Sequence, residues 1–277
     1  MAFTESEICN GAHGHIQALS KGQVLAMDVD PSNTTESEYR ILLGDQVKYF
    51  IVDPGTYEDE VLSFPPDFLS QLPELPPGDW TQARVFRKSG DQNPSIQVLF
   101  TTLAGIRECW HPNLIDVLTV PRKDSIKARV HNANYGSKEV IAKIARFEFE
   151  IPWAQNETVV YKAIEGHNIG PAFLGHLTEH GRIMGFLMEK IEGHRASIGD
   201  LEACQKIVQR LHSLNIVHGD LARYNFIVSS AGVTLIDFER ATLNGSKEAM
   251  EKEMQELAAH LTDETGRGAR APPDSPS

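Results

Sequence analysis

Two short motifs in the last third of the chain limit its fold more than any other feature. Residues 218–225 read H-G-D-L-A-R-Y-N, and residues 237–239 read D-F-E. Magnesium ions bind oxygen atoms, and the side chains of aspartate and asparagine both supply them. A further carboxylate beside them can receive the proton of an attacking hydroxyl. The pattern therefore predicts a base, Asp220, next to a metal site formed by Asn225 and Asp237.

The spacing of these motifs resembles the catalytic loop and metal-binding turn of the protein-kinase-like superfamily. Residues 140–239 look like the core of small atypical kinases of the aminoglycoside-phosphotransferase-like type. The stretches I-A-R-F, G-H-L-T-E and L-E-A-C resemble a group of fungal kinase-like proteins. The resemblance implies a two-lobed α+β fold that binds ATP and Mg2+, with Asp220 catalytic and Asn225 and Asp237 as metal ligands.

Three strand-like runs precede the motifs, at residues 114–120, 126–130 and 140–145. In the nucleotide lobe of kinase-like folds the third strand carries a lysine, and V-I-A-K at residues 140–143 is similar to the V-A-I-K of that strand. The resemblance implies that Lys143 places its charge against the α- and β-phosphates and needs a carboxylate to fix its position.

Glu157 is the preferred partner for this lysine. Residues 157–164 are predicted to form a helix with Asn156 as its N-cap, because apolar residues recur on one face. Glu148 and Glu150 are weaker alternatives. Both alternate with phenylalanines ahead of Pro152, and this pattern indicates extended backbone.

Further contacts to the nucleotide are expected at two places. The first two predicted strands are joined by P-R-K-D, residues 121–124, where a G-x-G-x-x-G loop would be usual. Arg122 and Lys123 could replace its backbone amides as phosphate-binding cations, with an ordinary charged turn as the alternative. The resemblance also places Glu189 and Ile191 at the hinge, where their backbone groups would contact adenine.

The carboxyl-terminal lobe is predicted to be short. Apolar residues spaced as one helical stripe predict a helix over residues 200–214, and a strand at 233–236 and a helix at 247–261 follow. No A-P-E motif and little chain follow Asp237, so a platform for peptide substrates is not expected. Glu239 replaces the glycine of D-F-G, which predicts a fixed metal turn.

The amino-terminal third carries a separate β-rich pattern. Residues 39–43 and 46–52 are β-prone and flank Gly-Asp, which predicts a hairpin. Five prolines make residues 64–79 a predicted connecting loop, and residues 83–86 and 96–100 are again strand-like.

These observations divide the chain into five predicted segments. They are a partly ordered segment at 1–38, a β-rich region at 39–110, a kinase-like N-lobe at 111–192, a short C-lobe at 193–261 and a disordered tail at 262–277.

Charge and composition limit the classes of partner and the cellular location that can be expected. With 26 basic and 38 acidic residues the formal charge is −12, which disfavours nucleic acid. No run is apolar enough to cross a membrane, and the amino terminus lacks the pattern of a signal peptide. Cys9, Cys109 and Cys204 are far apart, as is typical of reduced thiols. A cytoplasmic protein is therefore expected.

Two functions fit this pattern. The first is an ATP-dependent phosphotransferase that acts on a small molecule or on one dedicated protein. The second is a pseudokinase, a nucleotide-binding or scaffolding module whose β-rich N-terminal region binds a protein partner. The complete set of Lys143, Asp220, Asn225 and Asp237 favours the enzyme, whereas the atypical phosphate loop favours the pseudokinase.

Overall fold

A computed structural model describes residues 22–263 and residue 265, and it divides between Leu103 and Ala104 into two compact units. The apolar stretch at 16–19 and nearly all of the predicted tail at 262–277 lie outside the described residues. Each unit has its own buried core.

In the first unit, the predicted hairpin is present, with Gly44 in its turn at a φ of 65° that glycine adopts without strain. The hairpin is the centre of a sheet that the described residues form with strand order β1-β2-β3-β4-β5. All neighbours are antiparallel except β3 and β4, which are parallel. Its strands are β1 (Gln23–Asp28), β2 (Ser37–Leu43), β3 (Gln46–Val52), β4 (Gln82–Phe86) and β5 (Ser95–Leu99).

The crossover between β3 and β4 contains two short helices, α1 (Asp59–Ser63) and α2 (Pro65–Gln71). The predicted loop at 64–79 is therefore wrong over α2. Two of its five prolines, Pro65 and Pro66, occupy the first turn of the helix, where the missing N–H has no partner inside a helix. Phe68 of α2 stacks on Tyr39 of β2 at 3.9 Å between ring centroids, so the helix covers one face of the sheet.

The second unit is built on a six-stranded sheet, counted over the described residues, with strand order β6-β10-β11-β9-β8-β7. Only β6 and β10 are parallel. The strands are β6 (Leu114–Asp116), β7 (Arg122–Lys127), β8 (Val130–Tyr135), β9 (Lys138–Ile144), β10 (Phe173–Glu179) and β11 (Arg182–Glu189).

Two of the predicted strands in this unit are wrong. The run at 114–120 is extended only as far as Asp116 and then forms a 3-10 turn. Residues 126–130 are not one strand but the place where the chain reverses, because Lys127 pairs with Val130 across a two-residue turn. The predicted strand at 126–130 combines the end of β7 with the start of β8, and the predicted connection at 121–124 lies mostly within β7.

Three helices complete the described part of the second unit: α3 (Ile151–Ile164), α4 (Leu201–Ser213) and α5 (Lys247–Thr262). Between them lie two small sheets, formed by β12 (His194–Arg195) with β14 (Phe226–Ser229) and β15 (Gly232–Leu235), and by β13 (Ile216–Val217) with β16 (Thr242–Leu243). Tyr161 of α3, Leu211 of α4 and Leu257 of α5 share one core.

The predictions for α4, α5 and β15 are confirmed to within one residue at each end. Helix α3 begins earlier than predicted. Pro152 lies in its first turn, and Glu148 and Glu150 form a 3-10 turn ahead of it instead of extended backbone. Asn156 is therefore inside the helix and is not its N-cap. The α+β fold class, with a short helical lobe and an extra β-rich N-terminal region, is confirmed.

Candidate active site

The second unit buries an ion pair between its sheet and its first helix. Lys143 on β9 is 4% exposed and Glu157 on α3 is 0% exposed, with 2.6 Å between Nζ and Oε2. Burial favours a neutral amine, but the carboxylates around Lys143 outweigh it and hold its pKa above the ordinary value. The predicted pairing of Lys143 with Glu157 is present.

Two more carboxylates reach the same ammonium group. Lys143 Nζ lies 2.8 Å from Asp237 Oδ1 and 2.7 Å from Glu239 Oε1. One oxygen from each of Glu157, Asp237 and Glu239 lies within 4.8 Å of the others. Burial raises the pKa of Asp237, but Lys143 more than compensates and lowers it to about 2. Asp237 is thus ionised at neutral pH.

The turn that carries Asp237 is held in place by α3. Asp237 has a left-handed backbone with φ of 69°. The next residue, Phe238, donates its N–H to Glu157 Oε1 at 3.2 Å. Asn156 donates from Nδ2 to the carbonyls of Glu239 and Ala241, at 2.9 and 2.8 Å. Asn156 therefore anchors the metal turn instead of capping a helix.

The loop before this turn is braced by a buried histidine. His218 accepts the N–H of Asp220 on Nδ1 at 3.3 Å and donates from Nε2 to the carbonyl of Ile236 at 3.2 Å. Burial lowers the pKa of His218, which favours the neutral ring that this pair of bonds requires. Asn225 donates from Nδ2 to the Asp220 carbonyl at 2.9 Å. These bonds connect the half-buried Asp220 to both predicted metal ligands.

Sequence reasoning missed a second support for this loop. Glu253 of α5 accepts the backbone N–H of Gly219 at 2.6 Å and that of His218 at 3.2 Å. His212 of α4 donates to the same carboxylate at 2.8 Å. Glu253 has no motif around it, and it resembles any other acid on an amphipathic helix.

A cleft of about 560 Å3 opens beside these groups. Lys143, Asn225 and Asp237 line one part of it. The predicted hinge residues Glu189 and Ile191 line it as well. The Glu189 N–H donates to the Ala172 carbonyl at 2.9 Å. The remaining wall is largely apolar, formed by residues such as Ile126, Val130, Ile141, Met188, Ile227 and Ile236.

The structure does not bring the predicted cations Arg122 and Lys123 into this cleft. Both lie on β7, and Lys123 forms an ion pair with Glu139. Lys127, at the end of β7, lines the cleft instead, with its Nζ 3.8 Å from Asp237 Oδ2. The two-residue turn that follows Lys127 could have been found from the sequence only by splitting the run at 126–130 into two strands.

The second unit combines a buried lysine–glutamate pair beside its sheet, an aspartate on a turn held by α3 and an adjoining cleft. Together these features define a kinase-like domain of atypical form. The comparison with protein families specifies this class. A model of the RIO domain matches residues 123–263, half of the chain, and the chain belongs to this family of atypical kinases. The comparison with curated proteins gave no match. Similarity to the fungal kinase-like group stays a prediction.

The first unit lies outside the matched residues. Within the described part of the chain, no helix combines the length and apolar character that crossing a bilayer requires.

Proposed function

We propose that this protein is an ATP- and Mg2+-dependent phosphotransferase whose active site is the cleft of the second unit. One observation carries the proposal. Lys143 is buried between Glu157 and Asp237, and the same cleft is lined by Lys143, Asn225 and Asp237. Phosphoryl transfer depends on positioning and on charge stabilisation, and these residues supply both.

The residues present suit a magnesium ion. Asp237 is ionised, and Asn225 uses its amide nitrogen on the Asp220 carbonyl, so its oxygen is the end left for a metal. Carboxylate and amide oxygens form the hard donor set that Mg2+ takes together with phosphate oxygens. When bound, the ion would neutralise charge on the phosphates.

In this proposal the other residues have separate roles. Asp220 orients the acceptor hydroxyl or amine and receives its proton. Lys143 and Lys127 contact the phosphates, and the backbone of Glu189 and Ile191 contacts the base. Arg122 and Lys123 have no part in it, since both lie on β7 away from the cleft lining.

We propose a small hydroxylated or amino compound, or one dedicated protein, as the acceptor. Among the described residues, α5 is the helix that follows the Asp237 turn. The β-rich first unit is the proposed site for a protein partner. We propose a cytoplasmic location, because Cys109 and Cys204 are free thiols.

The test measures phosphate transfer and ATP hydrolysis with Mg2+ across a panel of small acceptors. Asp220→Asn is expected to lower turnover about 10²- to 10⁴-fold, because the proton acceptor is lost. Asp237→Asn is expected to lower turnover and to raise the Mg2+ concentration that gives half-maximal rate, because a proposed metal ligand is lost. Asp91→Asn, an exposed position in the first unit, is the matched control and is expected to leave turnover unchanged. Equal turnover in all four proteins would exclude the proposed site.

The alternative function is a pseudokinase, and one observation favours it. Lys143 already forms ion pairs with three carboxylates, so a phosphate can contact the lysine only by displacing one of them. A pseudokinase would show a melting temperature raised by ATP and Mg2+, because the nucleotide binds the folded state, while no phosphate is transferred or released.

A further inference from the structure

Glu239 forms a bridge that the proposed reaction leaves unused. Its Oε1 lies 2.7 Å from Lys143 Nζ, and its Oε2 lies 2.8 Å from an Arg129 guanidinium nitrogen. Arg129 belongs to the two-residue turn between β7 and β8, and its carbonyl accepts the N–H of Ile144. Glu239 thus connects the Asp237 turn with Lys143 on β9 and with Arg129 in the turn between β7 and β8.

The carboxylates around Lys143 limit what the lysine can do for a nucleotide. Its ammonium group donates a hydrogen bond to Asp237 Oδ1 at 2.8 Å, and it forms ion pairs with Glu157 at 2.6 Å and Glu239 at 2.7 Å. A phosphate oxygen can therefore reach Lys143 Nζ only by displacing one of these carboxylates.

The three carboxylates differ in how readily they can be released. Glu157 is fully buried and also accepts the Phe238 N–H, and Lys143 is its ion-pair partner among the described residues. Asp237 is the proposed metal ligand and leaves the lysine when a metal arrives. Glu239 has a second cation, Arg129, that retains it when Lys143 moves away.

Charge makes the exchange depend on the metal. A nucleotide that enters without Mg2+ brings its phosphates against Asp237 and Glu239, both of which are ionised, and like charges repel at this range. With Mg2+ bound, the charge of Asp237 would be compensated, so the phosphates would meet one uncompensated carboxylate instead of two and Lys143 could exchange Glu239 for phosphate. Glu239 therefore penalises the metal-free ligand more than the metal-loaded one.

We infer that Glu239 is a specificity-determining residue that restricts the cleft to metal-loaded nucleotides by holding Lys143 until Mg2+ and phosphate arrive together. This inference rests on the proposed function, since it concerns the same cleft. It assigns to Glu239 a role in selecting the form of the ligand, apart from the transfer step.

The test is calorimetric titration of the full chain with ATP, once with Mg2+ and once with EDTA. Glu239→Gln keeps the shape of the side chain and removes its charge. It is expected to bind metal-free ATP about tenfold more tightly than the wild type, while affinity for ATP with Mg2+ changes less than about threefold. Glu202→Gln removes an exposed carboxylate on α4 and is expected to match the wild type in both titrations.

A second variant protects the test against a folding defect. Arg129→Gln removes the cation that retains Glu239, so the carboxylate binds Lys143 alone and nucleotide affinity is expected to fall in both titrations. A folding defect would weaken binding in both variants, whereas the inference predicts opposite signs. Unchanged affinity for metal-free ATP in Glu239→Gln overturns the inference. So does weaker binding of Mg2+ and ATP by this variant, which would make Glu239 a metal ligand.

The outcomes separate this inference from the proposed function. Binding that follows the expected pattern without any phosphate transfer removes the phosphotransferase and keeps the role of Glu239. Normal transfer with equal metal dependence in the wild type and in Glu239→Gln removes the role of Glu239 and keeps the phosphotransferase. A wild type that binds no nucleotide with Mg2+ overturns both.

Discussion

Replacing Glu157 by Gln tests whether the buried ion pair stabilises the second unit. The substitution keeps the volume of the side chain, and the Gln oxygen can still accept the Phe238 N–H. It removes the carboxylate charge that lies 2.6 Å from Lys143 Nζ, and Glu157 is completely shielded from solvent. Breaking one side of a buried pair commonly costs about 3–5 kcal/mol.

The structure places the expected loss at the lower end of this range. Lys143 keeps Asp237 and Glu239, so its charge is not left alone. We expect the free energy of unfolding of the second unit to fall by about 3 kcal/mol. Urea unfolding read by hydrogen exchange in peptides of β9 and α3 measures this unit separately from the first.

Glu139→Gln is the matched control. Glu139 also contacts two lysines, Lys123 and Lys190, but its side chain is 51% exposed, and exposed pairs contribute little. It is expected to unfold as the wild type does. If Glu157→Gln loses no more stability than Glu139→Gln, burial does not decide the strength of these pairs and the reasoning is refuted.

Three further predictions concern the loop that carries Asp220, the loss of stability at acid pH and the packing of β11 against β9. Glu253→Gln is expected to lower kcat about tenfold with KM nearly unchanged, because the carboxylate accepts the Gly219 N–H ahead of the proposed base; an unchanged kcat in steady-state assays contradicts this. Burial lowers the pKa of His176 to about 4, so between pH 6.5 and 4 the unfolded chain binds a proton that the folded chain does not. Stability is expected to fall by up to about 3 kcal/mol as the pH falls through this range, and thermal melts of His176→Gln should show a shallower slope; an equal slope contradicts it. Gly185→Ala would place a Cβ against the Lys143 carbonyl, so we expect the free energy of unfolding to fall by more than about 2 kcal/mol and ATP binding to weaken; wild-type stability in urea unfolding together with wild-type ATP affinity contradicts this.

Sequence reasoning predicted the parts of the fold that depend on local pattern. Helix α4 follows a single apolar stripe, and it begins and ends within one residue of its prediction. The resemblance to kinase-like folds, in which the strand lysine pairs with an acid on the next helix, implies the pairing of Lys143 with Glu157, and the structure contains this pair. The first-unit hairpin followed from its turn residues.

The remaining features depend on contacts between distant residues. Asn156 is predicted to cap a helix because asparagine favours that position in the local sequence. In the structure its amide donates to the carbonyls of Glu239 and Ala241, more than 80 residues further along the chain. The reversal at Ala128 and Arg129 has no glycine or asparagine to mark it. Lys123 and Lys127 have equal charge, and only the register of β7 with β8 decides that Lys127 lines the cleft.

The bond between Glu253 and Gly219 affects how sequences of this kind can be interpreted. The acid comes 34 residues after the glycine, on a helix that contains no signature residue. A truncation or splice variant that ends just after D-F-E would therefore retain every recognisable residue of the site. It would also lack the group that holds the loop, and its intact motifs would not indicate an intact geometry.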